Sequence, residues 1–217
     1  MLRTRNVSRL PRRVPLLLAL AAFACAPADD EVSADASDAL TPPAVEAAVV
    51  ALGSEAAQEL ASSLIGRLQT VLAEEGAAGA VAFCSAEGLP LTADVSREVG
   101  FDIKRTSSRI RNPANAPDLL ERVALDHFEQ IQASGDSLPA RFVQRLPGGE
   151  GFRYYQPLRV QPFCVQCHGA SEELADGVAT VLAEHYPEDE ATGYSAGDFR
   201  GLIRVTVPAS AVDTTGP

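Results

Sequence analysis

The feature that most constrains the fold of this 217-residue chain is the pentapeptide Cys164-Val165-Gln166-Cys167-His168. Two cysteines three apart, followed directly by histidine, form the C-x-x-C-H pattern that attaches a c-type haem. One helical turn presents both sulfurs on the same side, where they can form thioethers with one porphyrin edge. The histidine that follows supplies one axial ligand of the iron. The sequence therefore predicts one covalent haem c held by Cys164, Cys167 and His168.

Two other uses of a C-x-x-C pair fit the sequence less well. A structural zinc site takes four Cys or His ligands, and the usual second pair is missing. A thioredoxin-type dithiol fold needs a proline well after the pair. Pro208 is a candidate, but only nine residues follow it, which is too few for the rest of such a fold. Haem attachment is therefore the preferred interpretation.

The first 24 residues have the composition of an export signal. Five arginines and no acidic residue precede the apolar run 14–23, and small residues follow it. A run this short does not span a bilayer, because a spanning helix needs about 20 apolar residues. We expect cleavage after Ala24 and a mature protein in the periplasm or at another extracytoplasmic face.

Cys25 follows the predicted cleavage site and is a candidate for lipidation. The stretch "LAAFAC" resembles the lipobox of bacterial lipoproteins, in which the cysteine becomes the lipid-bearing first residue. Ala22-Phe23-Ala24 is equally an A-x-A site for ordinary cleavage. Residues 25–46 are rich in Ala, Pro and acidic residues, a composition that suits a flexible lipoprotein spacer. We expect membrane attachment only through a lipid on Cys25, a haem-binding domain over 47–210 and a tail over 211–217.

The charge of the mature chain argues against nucleic acid as a partner. Loss of the five arginines of residues 1–24 changes the formal net charge from −11 to −16. Such an acidic surface repels nucleic acid. Besides haem, the expected partner is therefore a redox or signalling protein.

The N-terminal half is predicted to be helical. Apolar residues recur at spacings of three and four from Val49 to Leu72, which indicates one buried helix face. Gly53 is a candidate kink, and Gly76 is a candidate helix end. The segment 77–88, which holds Cys84, is predicted to be another helix.

The C-terminal half is predicted to form a sheet with helical insertions. Strand-like segments cover 99–110, 140–146, 151–160 and 200–208, and Pro147-Gly148-Gly149 predicts a hairpin turn. Asp118 and Glu121 have the spacing of a capping box that begins a helix. A further short helix is predicted over 172–185. Helices followed by a mostly antiparallel sheet predict an α+β fold.

The second axial ligand of the iron is not methionine, because Met1 is the only methionine and leaves with the signal. The candidates are Cys84, His127, His185 or an open site with water. His127 is predicted on the apolar face of its helix and His185 near a helix end, and both places suit structural roles. Cys84 is the thiol left over once haem and lipid use the others, and a free thiol is a liability in an oxidising compartment. Spacing alone leaves these alternatives open.

Three blocks of the sequence, in order, resemble the single-haem Tll-type family, long catalogued as a domain of unknown function. The blocks are 103–121, 154–169 and 186–205. The resemblance implies a PAS-like antiparallel sheet flanked by N-terminal helices and carrying one haem c. It also implies that the iron is held by the histidine of C-x-x-C-H, here His168, and by a cysteine from the N-terminal helical part, here Cys84.

A basic cluster precedes the helix predicted to begin at Asp118. It holds four of the mature chain's thirteen Lys and Arg residues, namely Lys104, Arg105, Arg109 and Arg111. Arginine pairs well with carboxylates, and haem carries two propionates. Arg105, Arg109 and Arg111 are therefore candidate propionate contacts, with solvated strand-end charges as the alternative. The acidic segment 188–198 is predicted to be solvated.

Three functional classes are compatible with a haem c protein of this kind. They are a redox or ligand sensor, a mono-haem electron carrier, and a haem enzyme such as a peroxidase with an open iron site. A peroxidase needs a distal acid/base group, and no such constellation is evident in the sequence. We therefore expect a non-enzymatic cytochrome that acts in redox sensing or electron transfer.

Overall fold

The computed structural model describes residues 41–212, so the predicted signal peptide and Cys25 lie outside the described residues. Within this part the chain is α+β, as predicted, and contains four strands. Three short 3-10 turns, Pro113–Asn115, Pro147–Gly149 and Pro162–Cys164, connect the larger elements. The helices and strands are α1 (Pro43–Val99), β1 (Asp102–Thr106), α2 (Leu119–Ala133), β2 (Phe142–Arg145), β3 (Gly151–Arg159), α3 (Val165–His168), α4 (Val178–His185), β4 (Phe199–Pro208) and α5 (Ala209–Val212).

The strands form an antiparallel sheet in the order β1-β4-β3-β2. All four predicted strand segments and the predicted hairpin turn between β2 and β3 are confirmed. Alternate residues of β4 face opposite sides of the sheet. Ile203 and Val205 pack with α1, whereas Leu202 packs with α2. The sheet is thus covered by a helix on each face.

α1 doubles back on itself at Gly76. The backbone of Gly76 has φ 72° and ψ −174°, which ends the first helical arm, as the sequence predicts. Leu60 from the first arm and Val95 from the second belong to the same buried cluster. The guanidinium of Arg67 also lies 5.8 Å from the ring centroid of Phe83. The arms 43–75 and 77–99 therefore form an antiparallel helical hairpin.

The predicted apolar stripe of the first arm is confirmed and divides into two parts. Val49 and Leu60 are fully buried against the sheet, whereas Leu72 packs in a cluster with α4. The predicted kink at Gly53 is wrong, because only Gly76 departs from helical geometry within α1. Gly53 instead permits close packing, since a Cβ there would overlap the side chain of Tyr154.

The predicted capping box of α2 is confirmed. Asp118 Oδ1 accepts a hydrogen bond of 2.8 Å from the Glu121 backbone N–H, and Glu121 Oε2 accepts one of 3.0 Å from the Asp118 N–H. The prediction that His127 lies on the apolar face of this helix is wrong. His127 is exposed and stacks on Phe142 at 4.8 Å, because the buried face follows another row of residues, Glu121, Ala124, Leu125 and Phe128.

A fully buried carboxylate, Glu121, lies between α2 and the sheet. Its two oxygens accept hydrogen bonds from Lys104 Nζ at 2.7 Å and from Arg204 Nε at 3.2 Å. Arg204 is also paired with Asp102. Buried charges persist where they are paired and hydrogen-bonded, and this network satisfies both conditions.

Two C-terminal elements differ in extent from the prediction. α4 begins only at Val178, after Gly177 in a left-handed conformation with φ 78°. The predicted tail begins inside α5, whose Val212 is buried in the main core cluster. Among the described residues, no helix has the length and apolarity needed to cross a membrane.

Candidate functional site

The C-x-x-C-H motif lies on a helical turn that packs against the second arm of α1. The turn Pro162–Cys164 leads directly into α3, so Cys164 and Cys167 are presented from one turn, as predicted. Cys167 Sγ lies 3.9 Å from the backbone oxygen of Ala77. Cys84, Cys164 and Cys167 are free thiols, and all three are partly buried.

Two cavities meet at this motif and share three lining residues, Cys84, Arg111 and His168. The first cavity, of about 100 Å³, is mainly apolar and contains both cysteines of the motif. The second has a volume of about 210 Å³, and most of the residues that line it carry polar or cationic side chains. The apolar cavity is completed by Leu68, Leu72, Ala80, Val81 and Phe163, and the polar side chains of the second include Arg105, Ser107, Asn112, Asn115, Tyr186 and Arg200.

His168 is held as a neutral imidazole with one free nitrogen. Its Nδ1 is 2.7 Å from the backbone oxygen of Ala191, and since a carbonyl only accepts, Nδ1 carries the proton. Nε2 has no hydrogen-bond partner among residues 41–212. Burial, together with the positive charges of Arg111 and Arg200, lowers the pKa of His168 to about 3. A neutral histidine whose other nitrogen is tied to a carbonyl is the form that binds metals.

The segment that holds His168 is anchored by an ion pair. Arg111 donates to both carboxylate oxygens of Asp189, at 3.1 and 2.9 Å. It also donates to the backbone oxygens of Cys167 at 2.6 Å and Ala191 at 3.2 Å. The prediction that the acidic segment 188–198 is solvated is therefore wrong for Asp189, whose side chain is only 8% exposed.

Arg109, another predicted propionate contact, lies outside both cavities. Its Nε donates to the backbone oxygen of Glu190 at 3.0 Å, and its Nη2 donates to that of Thr192. The guanidinium lies 4.2 Å from the ring centroid of Tyr194, which in turn meets the His168 ring edge-on at 6.4 Å. Arg109 thus holds the loop 190–194 in place.

Of the three candidate second ligands, only Cys84 shares a cavity with His168 in the described part of the chain. Burial raises the pKa of the Cys84 thiol, and the charges of Arg105 and Arg111 lower it in part. His185 is exposed at the end of α4, where its Nδ1 lies 3.1 Å from Ser85 Oγ.

Sequence reasoning missed four side chains around the motif. All four lie within the third block of the family resemblance, residues 186–205. A single tyrosine, arginine or aspartate in a loop forms no pattern of spacing from which a role could be predicted. Only the fold shows that 186–194 wraps around α3, with backbone hydrogen bonds from Gly193 N–H to Gly169 O and from Tyr194 N–H to His168 O. The missed residues are Tyr186, Asp189, Tyr194 and Arg200.

The Tll0287-like family profile matches residues 33–208 of this chain. The chain belongs to the Tll0287-like family. This confirms the resemblance inferred from the three sequence blocks. All residues that line the two cavities lie within the part of the chain that the Tll0287-like profile matches.

A solved relative supports the same assignment. The chain is similar to a protein described as the cyanobacterial heme-protein Tll0287, with 26% sequence identity and a TM-score of 0.53. The match covers 77% of this chain and 97% of that chain. A search of curated proteins found no significant match.

Proposed function

We propose that this chain is an exported mono-haem c-type cytochrome that acts in redox sensing or electron transfer. Haem would be attached through Cys164 and Cys167, with His168 and Cys84 as axial ligands. The observation that carries the proposal is that Cys84 and His168 both line the apolar cavity, which holds the two cysteines, and the polar cavity beside it. The similarity to a solved heme protein of the same family supports it.

The two cavities fit the chemistry of haem. Its vinyl edge, where the thioethers form, is apolar, and its propionate edge is anionic. The apolar cavity matches the first edge, and the arginine-lined cavity matches the second. In the polar cavity, Arg105 Nε and Thr106 Oγ1 are buried without a hydrogen-bond partner among residues 41–212. An acceptor from a bound group would satisfy both, because buried polar groups are normally hydrogen-bonded.

The residues around the cavities would have different roles in binding the haem iron. A bound haem supplies one-electron chemistry. His168 would bind through Nε2 while Ala191 fixes its ring orientation through Nδ1. Arg105 and Arg111 favour the thiolate form of Cys84, and metal binding deprotonates a thiol outright. A thiolate ligand donates electron density and lowers the reduction potential.

Four further parts of the proposal follow from the sequence. We propose that the fold is PAS-like, that the protein is not an enzyme, and that its partner is a redox or signalling protein. We also propose that export places it in the periplasm, anchored by a lipid on Cys25. The alternative, a haem enzyme such as a peroxidase, requires an iron with an open coordination position.

Expression with a cytochrome c maturation system tests haem attachment. The purified protein should gain the mass of one haem, and acid-acetone should not extract it. The double variant Cys164→Ser, Cys167→Ser is the matched control and should release any haem it binds. A colourless wild-type protein, or haem that acid-acetone removes, contradicts the proposal.

Absorption spectra of the oxidised and reduced protein distinguish an electron carrier, a redox switch and an enzyme. Two strong ligands in both states favour an electron carrier, because little rearrangement accompanies electron transfer. Loss of one ligand on reduction favours a redox switch. An open position in both states favours the enzyme alternative.

A further inference from the structure

Two buried polar atoms on residues that line the polar cavity have no hydrogen-bond partner in the described part of the chain. Arg105 Nε and Thr106 Oγ1 have no hydrogen-bond partner within residues 41–212. A buried polar group without a partner costs roughly 1–3 kcal/mol. Both residues lie on the cavity wall shared with Cys84 and His168. The cavity is therefore suited to a ligand that carries hydrogen-bond acceptors.

Arg105 is held in place across the second arm of α1. Its Nη2 donates to the backbone oxygen of Gly88 at 3.0 Å. A Cβ at position 88 would lie 3.1 Å from that nitrogen, so glycine allows the guanidinium to approach the helix. In the described part of the chain no carboxylate pairs with Arg105. Arg105 is half-buried, and this burial lowers its pKa because the charged form loses contact with water.

Arg200 presents a second, half-buried cation to the same cavity. Its Nη1 donates to Ser107 Oγ at 2.7 Å and to the backbone oxygen of Arg109 at 3.1 Å. These neutral oxygens orient the guanidinium but do not balance its charge, and no carboxylate of residues 41–212 pairs with it. Burial lowers the pKa of Arg200 as well. The cavity thus has two cations that an anion would complement.

The other two arginines near the motif are less suited to bind an anion in this cavity, each for its own reason. Arg111 is already paired with Asp189, and Arg109 is exposed, outside the cavity, and engaged with the backbone of the neighbouring loop. The ion pair of Arg111 and the exposed position of Arg109 outside the cavity therefore distinguish these two from Arg105 and Arg200, which line the cavity and have no paired carboxylate among residues 41–212. Sequence position alone does not make this distinction.

We propose that Arg105 and Arg200, assisted by Thr106, bind the propionate carboxylates of the haem, and that Arg109 and Arg111 serve to position the loop instead. This inference rests on the proposed haem binding. It assigns Arg200 a binding role and removes that role from two arginines that the sequence suggests. Guanidinium–carboxylate hydrogen bonds are among the strong ones, which suits the binding of a carboxylate in this cavity.

Resonance Raman spectra and redox titrations of the covalent holoprotein test the proposal. Arg105→Gln, Arg200→Gln and Arg109→Gln each remove one positive charge, so Arg109→Gln is the matched control. The first two should shift the propionate bending band and lower the reduction potential, because an unbalanced carboxylate stabilises ferric iron. Arg109→Gln should leave the band in place. Arg105→Lys keeps the charge and should restore the potential.

Two results would overturn the inference. The first is a propionate band that stays unmoved in both Arg105→Gln and Arg200→Gln. The second is a shift of equal size in Arg109→Gln. If Arg105→Gln does not accumulate, Arg200→Gln decides, since it must shift the band and lower the reduction potential. A wild-type protein without haem would instead contradict the proposed function, so the two failures are distinguishable.

Discussion

His168 and Ala191 are joined by a 2.7 Å hydrogen bond from the imidazole Nδ1 to the backbone oxygen. The same oxygen accepts a second hydrogen bond from Arg111, which is clamped by Asp189. The orientation of the histidine is therefore set by a loop 23 residues further along the chain, and that loop depends on one ion pair. This relationship makes the pair a target for substitution.

Asp189→Asn should destabilise the protein by about 3 kcal/mol, because it leaves Arg111 buried without its anion. The two side chains are only 11% and 8% exposed. Urea unfolding of the wild type and the variant measures the difference. Asp94→Asn is the control, since Asp94 and Arg97 form a pair that is 56% and 72% exposed and should change stability by less than about 1 kcal/mol. Equal effects of the two substitutions would refute this account.

Glu121→Ala should cost roughly 3–5 kcal/mol, because Arg204 and Lys104 lose the carboxylate that compensates them. Glu129→Ala removes the same group from an exposed position of the same helix and should be nearly neutral. Chemical denaturation of the two variants provides the comparison. A loss for Glu121→Ala below about 1 kcal/mol would show that the network adds little to stability.

The spacing of apolar residues, together with the glycine, proline and capping residues at element ends, predicted most of the secondary structure. The apolar stripe of α1, the glycine that ends its first arm and the capping box of α2 could be predicted because each depends on residues close together in sequence. The prediction of a kink at Gly53 was wrong because this glycine is needed for close packing against Tyr154, which is a tertiary contact. Glu121 was recognised as a cap, but its burial depends on Lys104 and Arg204, which come from strands distant in sequence.

The candidate site was predictable only where its chemistry has a fixed spacing. C-x-x-C-H is such a pattern, and Cys84 required the family resemblance in addition. Arg200 and Asp189 have roles that come from contacts with Ser107 and Arg111, which are 93 and 78 residues away along the chain. Nothing local distinguishes them from solvated charges.

Gly53→Ala should destabilise the protein by about 1–3 kcal/mol, because the added Cβ overlaps the Tyr154 ring and the helix must move away from the sheet. Gly66→Ala is the matched control in the same arm, where an added Cβ meets nothing within 4 Å. Alanine has the higher helix propensity, so this control should stabilise by up to about 1 kcal/mol. Thermal melts of both variants should therefore shift in opposite directions, and a common direction would contradict the packing role of Gly53.

Acid should weaken the start of α2 through Asp118. Its hydrogen bonds with Arg153 lower the pKa of Asp118 from 3.8 to about 2. Since the folded-state pKa is depressed, the stabilisation is present above about pH 4 and is lost as the pH falls towards 2. Asp118 is largely exposed, so we expect a contribution of no more than about 1 kcal/mol. Urea unfolding between pH 5 and 2 should show a shallower pH dependence for Asp118→Asn, and an unchanged slope would argue against it.

The identity of the second axial ligand gives the most direct prediction. Cys84→Ala should retain the haem, because Cys164 and Cys167 are untouched, but should open the iron to water or cyanide. Loss of a thiolate donor should also raise the reduction potential. His185→Ala is the control, because His185 contacts Ser85, the neighbour of Cys84, yet lies outside both cavities. Cyanide titrations followed by absorbance should show binding only to Cys84→Ala. If His185→Ala binds cyanide and Cys84→Ala does not, histidine is the ligand and the assignment of Cys84 fails.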